Sequence, residues 1–177
     1  MSGIEPNELV TTDIWVPTRT CLKSRALRAE GFDSFLDWAY YCHHVYIGRG
    51  NKFIGAVDSK WKNPFRLKDY NREDSLLLYT YKVRNNMLLM NSLPELEGKT
   101  LGCFCPHDVH CHGQVLISLF REKYQIPDII PNGQKFTIQF NANFQDWLNH
   151  TGRQWIHRNE REKQRLYEAI QSRYMVK

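Results

Sequence analysis

Apolar residues at 32, 35, 36, 39 and 40 recur with a helical period, so Phe32–Tyr41 is predicted to form a short helix. The same rule gives a longer helix starting at Asn71, a good N-cap, with Glu73 and Asp74 favouring its first turn by their charge. Leu76, Tyr79, Val83 and Met87 share its apolar face, which carries it to about Met90, and Pro94 prevents simple continuation. Val115, Leu116, Leu119, Phe120 and Tyr124 make a third stripe, over His112 to Tyr124. Strand signals are shorter. Leu9–Val16 is β-prone and stopped by Pro17. Val45, Tyr46 and Ile47 sit in a β-prone run, His44–Arg49, broken by Gly48. Thr100–Cys105 is a compact apolar run between Gly98-Lys99 and Pro106, and Lys135–Phe140 alternates. Cys21–Glu30 is expected to be a short helix ended by Gly31. Gly50–Asp69, with Gly50, Gly55 and Pro64, is expected to be loop, and Phe144–His150 and Gln154–Tyr174 to be helical.

Strand and helix alternate through the middle of the chain. The expected fold is α/β, a short, mostly parallel central sheet with flanking helices, plus a C-terminal helical extension. The expected organisation is an N-terminal extension over 1–43, a core over 44–124 and an add-on over 125–177. A length of 177 residues suits one such domain.

Aromatic residues make up 13% of the chain, which argues against wholesale disorder. Apolar runs such as Leu76–Tyr79 and Met87–Met90 are far short of the roughly 20 residues a membrane span needs, so no membrane partner is expected. The first residues have neither a basic nor an apolar signal region. A cytoplasmic location with reduced cysteines is therefore expected for the five thiols.

Charge is uneven. Residues 153–177 carry seven basic side chains against three acidic ones, a surplus of four, whereas the rest has 17 against 16. Such a tail can meet RNA or DNA phosphate through Arg158, Arg161 and Arg165, or it can be a solvated helix laced with opposite charges.

Three stretches carry candidate chemistry. In His44–Arg49 a strand ends in Gly-Arg, where open α/β sheets place their ligands, so Arg49 can grip a phosphate or carboxylate. Ser59-Lys60-Trp61-Lys62-Asn63-Pro64-Phe65 combines a hydroxyl, cations, rings and an amide. Lys60 would neutralise phosphate, Asn63 would orient a ligand and Trp61 would offer a stacking face, or Trp61 and Phe65 would plug the core. The stretch Leu101–Gly113 holds Cys103, Cys105 and Cys111. These thiols suit zinc by type, but one residue between Cys103 and Cys105 is a poor knuckle spacing, so no metal and no cofactor are predicted. In the competing reading Cys111-His112-Gly113 opens a helix whose free N–H groups attract anions and lower the pKa of a thiol. Cys111 or His112 would then be nucleophile or acid/base, and Gly113 would allow close approach of the ligand.

The motifs VYIGR (45–49), GAVDSKWKNPF (55–65), LPELEGKTLGCFC (93–105) and CHGQVL (111–116), with Arg72 and Tyr79, resemble domain-of-unknown-function family 4326. The resemblance covers roughly His44 to Phe120. Family members usually read SKWGNPF or SKWANPF, GCWC or ACWC, and CHGDVL, so this chain departs at Lys62, Phe104 and Gln114. An ionisable role at the fourth position of CHGD is not available to Gln114. The family includes viral members, and it implies no particular activity.

The expected function is binding, with catalytic processing as its extension, of a phosphorylated or nucleotide-like ligand by Arg49, Ser59, Lys60, Trp61, Asn63 and Gly113, with Cys111 and His112 as the reactive pair. The alternatives are nucleic-acid binding through the basic tail, and a structural or viral accessory role with a decayed pocket. Changing Arg158, Arg161 and Arg165 together to Gln separates the second from the rest. If the tail binds nucleic acid, the salt slope of binding should flatten by about one unit per lost phosphate contact; an unchanged slope and affinity would leave the tail a solvated face.

Overall fold

Pro17 ends one strand and the chain at once begins another. The computed structural model describes residues 9–141 and, singly, the helical Glu168. Within it, β1 (Leu9–Trp15) precedes Pro17 and β2 (Thr18–Cys21) follows. The helix expected to start at Cys21 begins only at Ser24, as α1 (Ser24–Ala29), because Thr18–Cys21 is drawn into a sheet. α2 (Phe35–Ala39) follows, capped by the Ser34 hydroxyl accepting from Asp37 N at 3.1 Å. Its expected stripe is only partly used: Phe35 is buried while Leu36 and Tyr40 face solvent, and the buried Trp38 lies outside that stripe.

β3 (His44–Tyr46) leads into the long loop, which contains one turn of 3₁₀ helix at Lys52–Ile54. α3 (Arg72–Arg84) starts at the expected cap, where Asn71 Oδ1 accepts from Asp74 N at 2.8 Å. It does not continue to Met90. Asn85 ends it, and Asn86 caps a new helix, α4 (Met87–Ser92), by accepting from Leu89 N at 3.1 Å. Two consecutive asparagines compete for backbone partners better than they propagate a helix. Met87 therefore leaves the apolar face and lies 67% exposed. β4 (Thr100–Cys103) stops two residues earlier than expected. α5 (His112–Tyr124) matches its predicted range, and β5 (Lys135–Asn141) follows.

The chain is α/β. β4 is the middle strand of a three-stranded sheet of order β2-β4-β3, and both pairings are parallel. β1 and β5 form a separate antiparallel ribbon, with Leu9 opposite Asn141 and Trp15 opposite Lys135. The segment before residue 44 thus supplies an edge of the central sheet. The expected helices at Phe144–His150 and Gln154–Tyr174, with Arg158, Arg161 and Arg165, lie outside the described residues.

Side chains of β4 alternate between two cores. Leu101 and Cys103 join the larger one with Tyr79, Val83, Leu116 and Phe120 from α3 and α5. Gly102 faces the smaller one, built from Leu22, Leu27, Phe35 and Trp38. A parallel strand covered on both faces needs an apolar run without polar alternation, and Leu101–Cys103 provides it. Gly102 is required by contact. A Cβ there would lie 2.4 Å from the Trp38 ring and 2.8 Å from Leu22 Cδ1. Trp38 is itself fixed by stacking on His44 at 4.5 Å, and His44 Nδ1 donates to the Trp38 carbonyl at 2.7 Å.

Gly102→Ala should therefore destabilise the fold by at least the ~1–3 kcal/mol typical of an overpacked core. Urea unfolding measures this, and adding Trp38→Phe should recover part of the loss. A Gly102→Ala protein as stable as the parent would show that the Trp38 contact does not set the sheet packing.

Candidate functional site

β3 and β4 run parallel and end side by side, and α5 begins just beyond them. At this carboxyl edge lies a cavity of about 730 Å³. The loop after β3 contributes Arg49 and Lys52, and α3 contributes Arg72 at its first turn. The end of β4 and the start of α5 supply Cys103, Cys105, Cys111 and His112, while Tyr46, Phe53, Phe65 and Phe104 give aromatic walls. Among the described residues, Arg49, Lys52 and Arg72 are the cations that line the cavity, and no aspartate or glutamate lines it.

Arg49 is held by its own loop: Nη2 donates to the Asn63 carbonyl at 2.5 Å, and Tyr46 Oη donates to the Arg49 carbonyl at 2.6 Å. Burial, and then the charge of Arg66, push the Arg49 guanidinium below its ordinary pKa. Asn63 also lines the cavity, but its amide is engaged in the loop. Nδ2 donates to Ser75 Oγ at 3.0 Å and Oδ1 accepts from Phe65 N at 2.9 Å.

The remaining loop candidates lie elsewhere. Ser59 Oγ accepts from Trp61 N at 3.1 Å, which shapes the turn. Lys60 points outward to an ion pair with Glu95. Trp61 is 2% exposed and belongs to the larger core, its carbonyl accepting from Tyr79 Oη at 2.7 Å. The plug reading of this loop holds for Trp61 alone; Phe65 is half-buried and lines the cavity. Gly113 does not border the cavity either. A Cβ there would meet Arg19 Cδ at 3.0 Å and Ile47 Cδ1 at 3.1 Å, so its open space is filled by those side chains.

His112 sits at the start of α5 with Nε2 2.8 Å from the Ile47 carbonyl. A carbonyl only accepts, so Nε2 carries the proton and Nδ1 is the unprotonated nitrogen. Burial holds the His112 pKa below its ordinary value, against the pull of that hydrogen bond, and the ring is neutral. Gln114, the departure from CHGD, closes the helix cap: its Oε1 accepts from Cys111 N at 2.7 Å. It does not line the cavity.

The three thiols converge. The chain bends at Phe104-Cys105, so strand alternation does not carry through to Cys105. The sulfurs of Cys103, Cys105 and Cys111 all lie within 4.8 Å of one another, with Cys103 and Cys111 at 3.5 Å. The objection to the spacing of Cys103 and Cys105 fails here, because it assumed a continuing strand. Hydrogen bonds with the Cys103 and Cys105 thiols, and then the charge of Arg19, draw the Cys111 pKa down against its burial. The bonds to Cys105 and Cys111, and burial, push Cys103 up.

Two contributors were not singled out as site residues from the sequence. Arg19, on β2, spans the loop after β4. Its guanidinium donates to the carbonyls of Cys105 (3.4 Å), Pro106 (3.3 Å) and His107 (2.8 Å), and Nη1 lies 3.9 Å from Cys103 Sγ. Nothing local in Thr18–Cys21 signals this. Arg72 did carry a signal. A cation in the first turn of a helix opposes the helix dipole, so its position there calls for another reason. Its Nη1 donates to the His110 carbonyl at 3.2 Å.

A small α/β domain with a cationic, thiol-floored cavity at its parallel strand ends is the class of protein that these features define. The chain belongs to the family described as domain of unknown function (DUF4326), which it matches over residues 36–122. It is also similar to an uncharacterized protein of Acanthamoeba polyphaga mimivirus, 41% identical over 91 residues, covering 45% of this chain and 70% of that protein. No solved structure matches the chain.

The placement of the loop residues is open to test. Trp61→Ala should cost about 3–5 kcal/mol in urea unfolding, as for other large core truncations. Lys60→Gln should cost less than about 1 kcal/mol, as for an exposed ion pair. Equal, small losses in both variants would remove Trp61 from the core.

Proposed function

We propose that the cavity binds a phosphorylated, nucleotide-like small molecule. One observation carries this reading: among the described residues, Arg49, Lys52 and Arg72 line the cavity and no carboxylate does. Arg72 is half-buried while Arg49 and Lys52 are exposed at the rim; cations gathered at one opening favour an anion, and arginine favours phosphate through its planar fork of donors. Tyr46, Phe53, Phe65 and Phe104 offer apolar and stacking surface for a planar group, and the volume lies within the usual range for small-ligand sites. Binding in this form requires no reaction at Cys111 or His112. Processing of the bound molecule, with Cys111 or His112 as the reactive group, is an extension that the cations alone do not support. Nucleic-acid binding through Arg158, Arg161 and Arg165 draws on residues outside the described ones and has no comparable support.

The test is a calorimetric and thermal-shift screen of nucleoside mono- and diphosphates, ADP-ribose derivatives and inorganic phosphate against the full chain. For the compound that binds, Arg49→Gln and Arg72→Gln should each weaken affinity about tenfold or more, the loss of a charge-assisted hydrogen bond of ~1.5–3 kcal/mol. Lys60→Gln should bind as the parent does. Unfolding curves of each variant separate loss of contact from loss of fold. The reading is wrong if no phosphorylated compound binds, or if both arginine variants bind as tightly as the parent.

A further inference from the structure

The anion-binding reading leaves the cavity floor unused. Cys103 closes β4, Cys105 follows the bend, and Cys111 caps α5, so three separate parts of the backbone deliver thiols to one point. Their sulfurs lie within 4.8 Å of one another, with Cys103 and Cys111 3.5 Å apart. Zinc holds thiolates at about 2.3 Å, which in a tetrahedron sets sulfurs roughly 3.8 Å apart. The 3.5 Å between Cys103 and Cys111 and the 4.8 Å limit on the whole set differ from that value by about 1 Å or less, a difference that side-chain adjustment can absorb.

The surroundings suit the charge such a centre carries. Zinc with three thiolates has a net charge of minus one. Arg19 Nη1 lies 3.9 Å from Cys103 Sγ and also ties down the carbonyls of Cys105 and Pro106, so a fixed cation sits beside the sulfurs. Arg72 holds the His110 carbonyl immediately before Cys111. Partners of this kind orient metal-bound thiolates and balance their charge. Among the described residues no histidine or carboxylate joins the cluster. His112 is committed through Nε2 to the Ile47 carbonyl. An all-sulfur donor set selects a thiophilic ion over magnesium or calcium.

We propose that Cys103, Cys105 and Cys111 form a three-thiolate site for one zinc ion, with the fourth coordination position open to the cavity that all three thiols line. This reverses the expectation drawn from cysteine spacing. Three ligands with an open fourth position are the pattern of a zinc site that receives an exogenous donor, whereas closed structural sites have four protein ligands. Water or an anionic oxygen entering from the cavity would complete it.

The experiment uses the full chain, reduced and stripped with chelator, in phosphate-free buffer, titrated with Co²⁺ as a spectroscopic stand-in for zinc. The expected result is one equivalent bound, with thiolate-to-cobalt charge transfer and the intense visible bands of tetrahedral cobalt, all lost when zinc is added. Cys105→Ser, the change at the least buried ligand, should weaken cobalt binding at least tenfold, and Cys21→Ser and Cys42→Ser should leave it unchanged. In the unaltered chain, zinc should protect three of the five thiols from a disulfide reagent, a readout that needs no variant to fold. Weak octahedral cobalt bands, five equally reactive thiols with zinc present, or a reduced chain that only forms a Cys103–Cys111 disulfide would each overturn the proposal. No organic anion is present, so a failed nucleotide screen leaves this result standing. A failed cobalt titration leaves the cationic cavity standing.

Discussion

β4, buried from Leu101 to Cys103 between two cores, is the constraint on which the rest of the molecule depends. Leu101 and Cys103 point into one core and Gly102 admits the Trp38 ring from the other side. A strand so short has few ladder hydrogen bonds, so its position is set by packing on both faces. Once it is placed, the parallel registers Thr18 to Thr100 and His44 to Thr100 bring β2 and β3 alongside. The ends of β3 and β4 then open at the same level, where α5 starts. The cavity is a consequence of that alignment.

Around this opening most neutral polar groups already have partners within the protein. The Asn63 amide bonds Ser75 and Phe65, the His112 ring bonds the Ile47 carbonyl, and Gln114 caps α5. Carboxylates of the neighbourhood are paired on the outside, Asp58 with Lys62 and Glu95 with Lys60. Besides its aromatic walls, the described lining of the cavity offers cations, with Arg49 and Lys52 at the exposed rim, and sulfur. Both kinds of group favour a negatively charged or electron-rich occupant: guanidinium by charge and geometry, thiolates by way of a soft cation.

Every residue that lines the cavity, from Tyr46 to His112, falls within the stretch matched by the DUF4326 family. Arg19 does not, and neither does β2 nor the β1–β5 ribbon. The matched region therefore holds the cavity, and flanking chain braces it from one edge of the sheet. Phe104 and Gln114, two departures from the usual family motifs, have distinct places. Phe104 forms part of the aromatic wall, and Gln114 serves the helix cap.

Local signals in the sequence determined much of the secondary structure. The stripe over 112–124, the Asn71 cap and the apolar run Thr100–Cys105, strand as far as Cys103, are read from neighbouring residues, and the α/β class follows from their order. The Gly-Arg at the end of a strand pointed to Arg49 for the same reason. Tertiary structure decided what depends on partners distant in the chain. Thr18–Cys21 became a strand because β4 offered it an edge. Trp61 went into the core, where Tyr79 bonds its carbonyl, and Gly113 was covered by Arg19. The thiols met because the chain bends after Cys103, a turn invisible to a rule that counts residues along an extended strand. A periodic pattern reports which face of an element is buried; it does not report what buries it, and a site made where several elements end is built from the second kind of information.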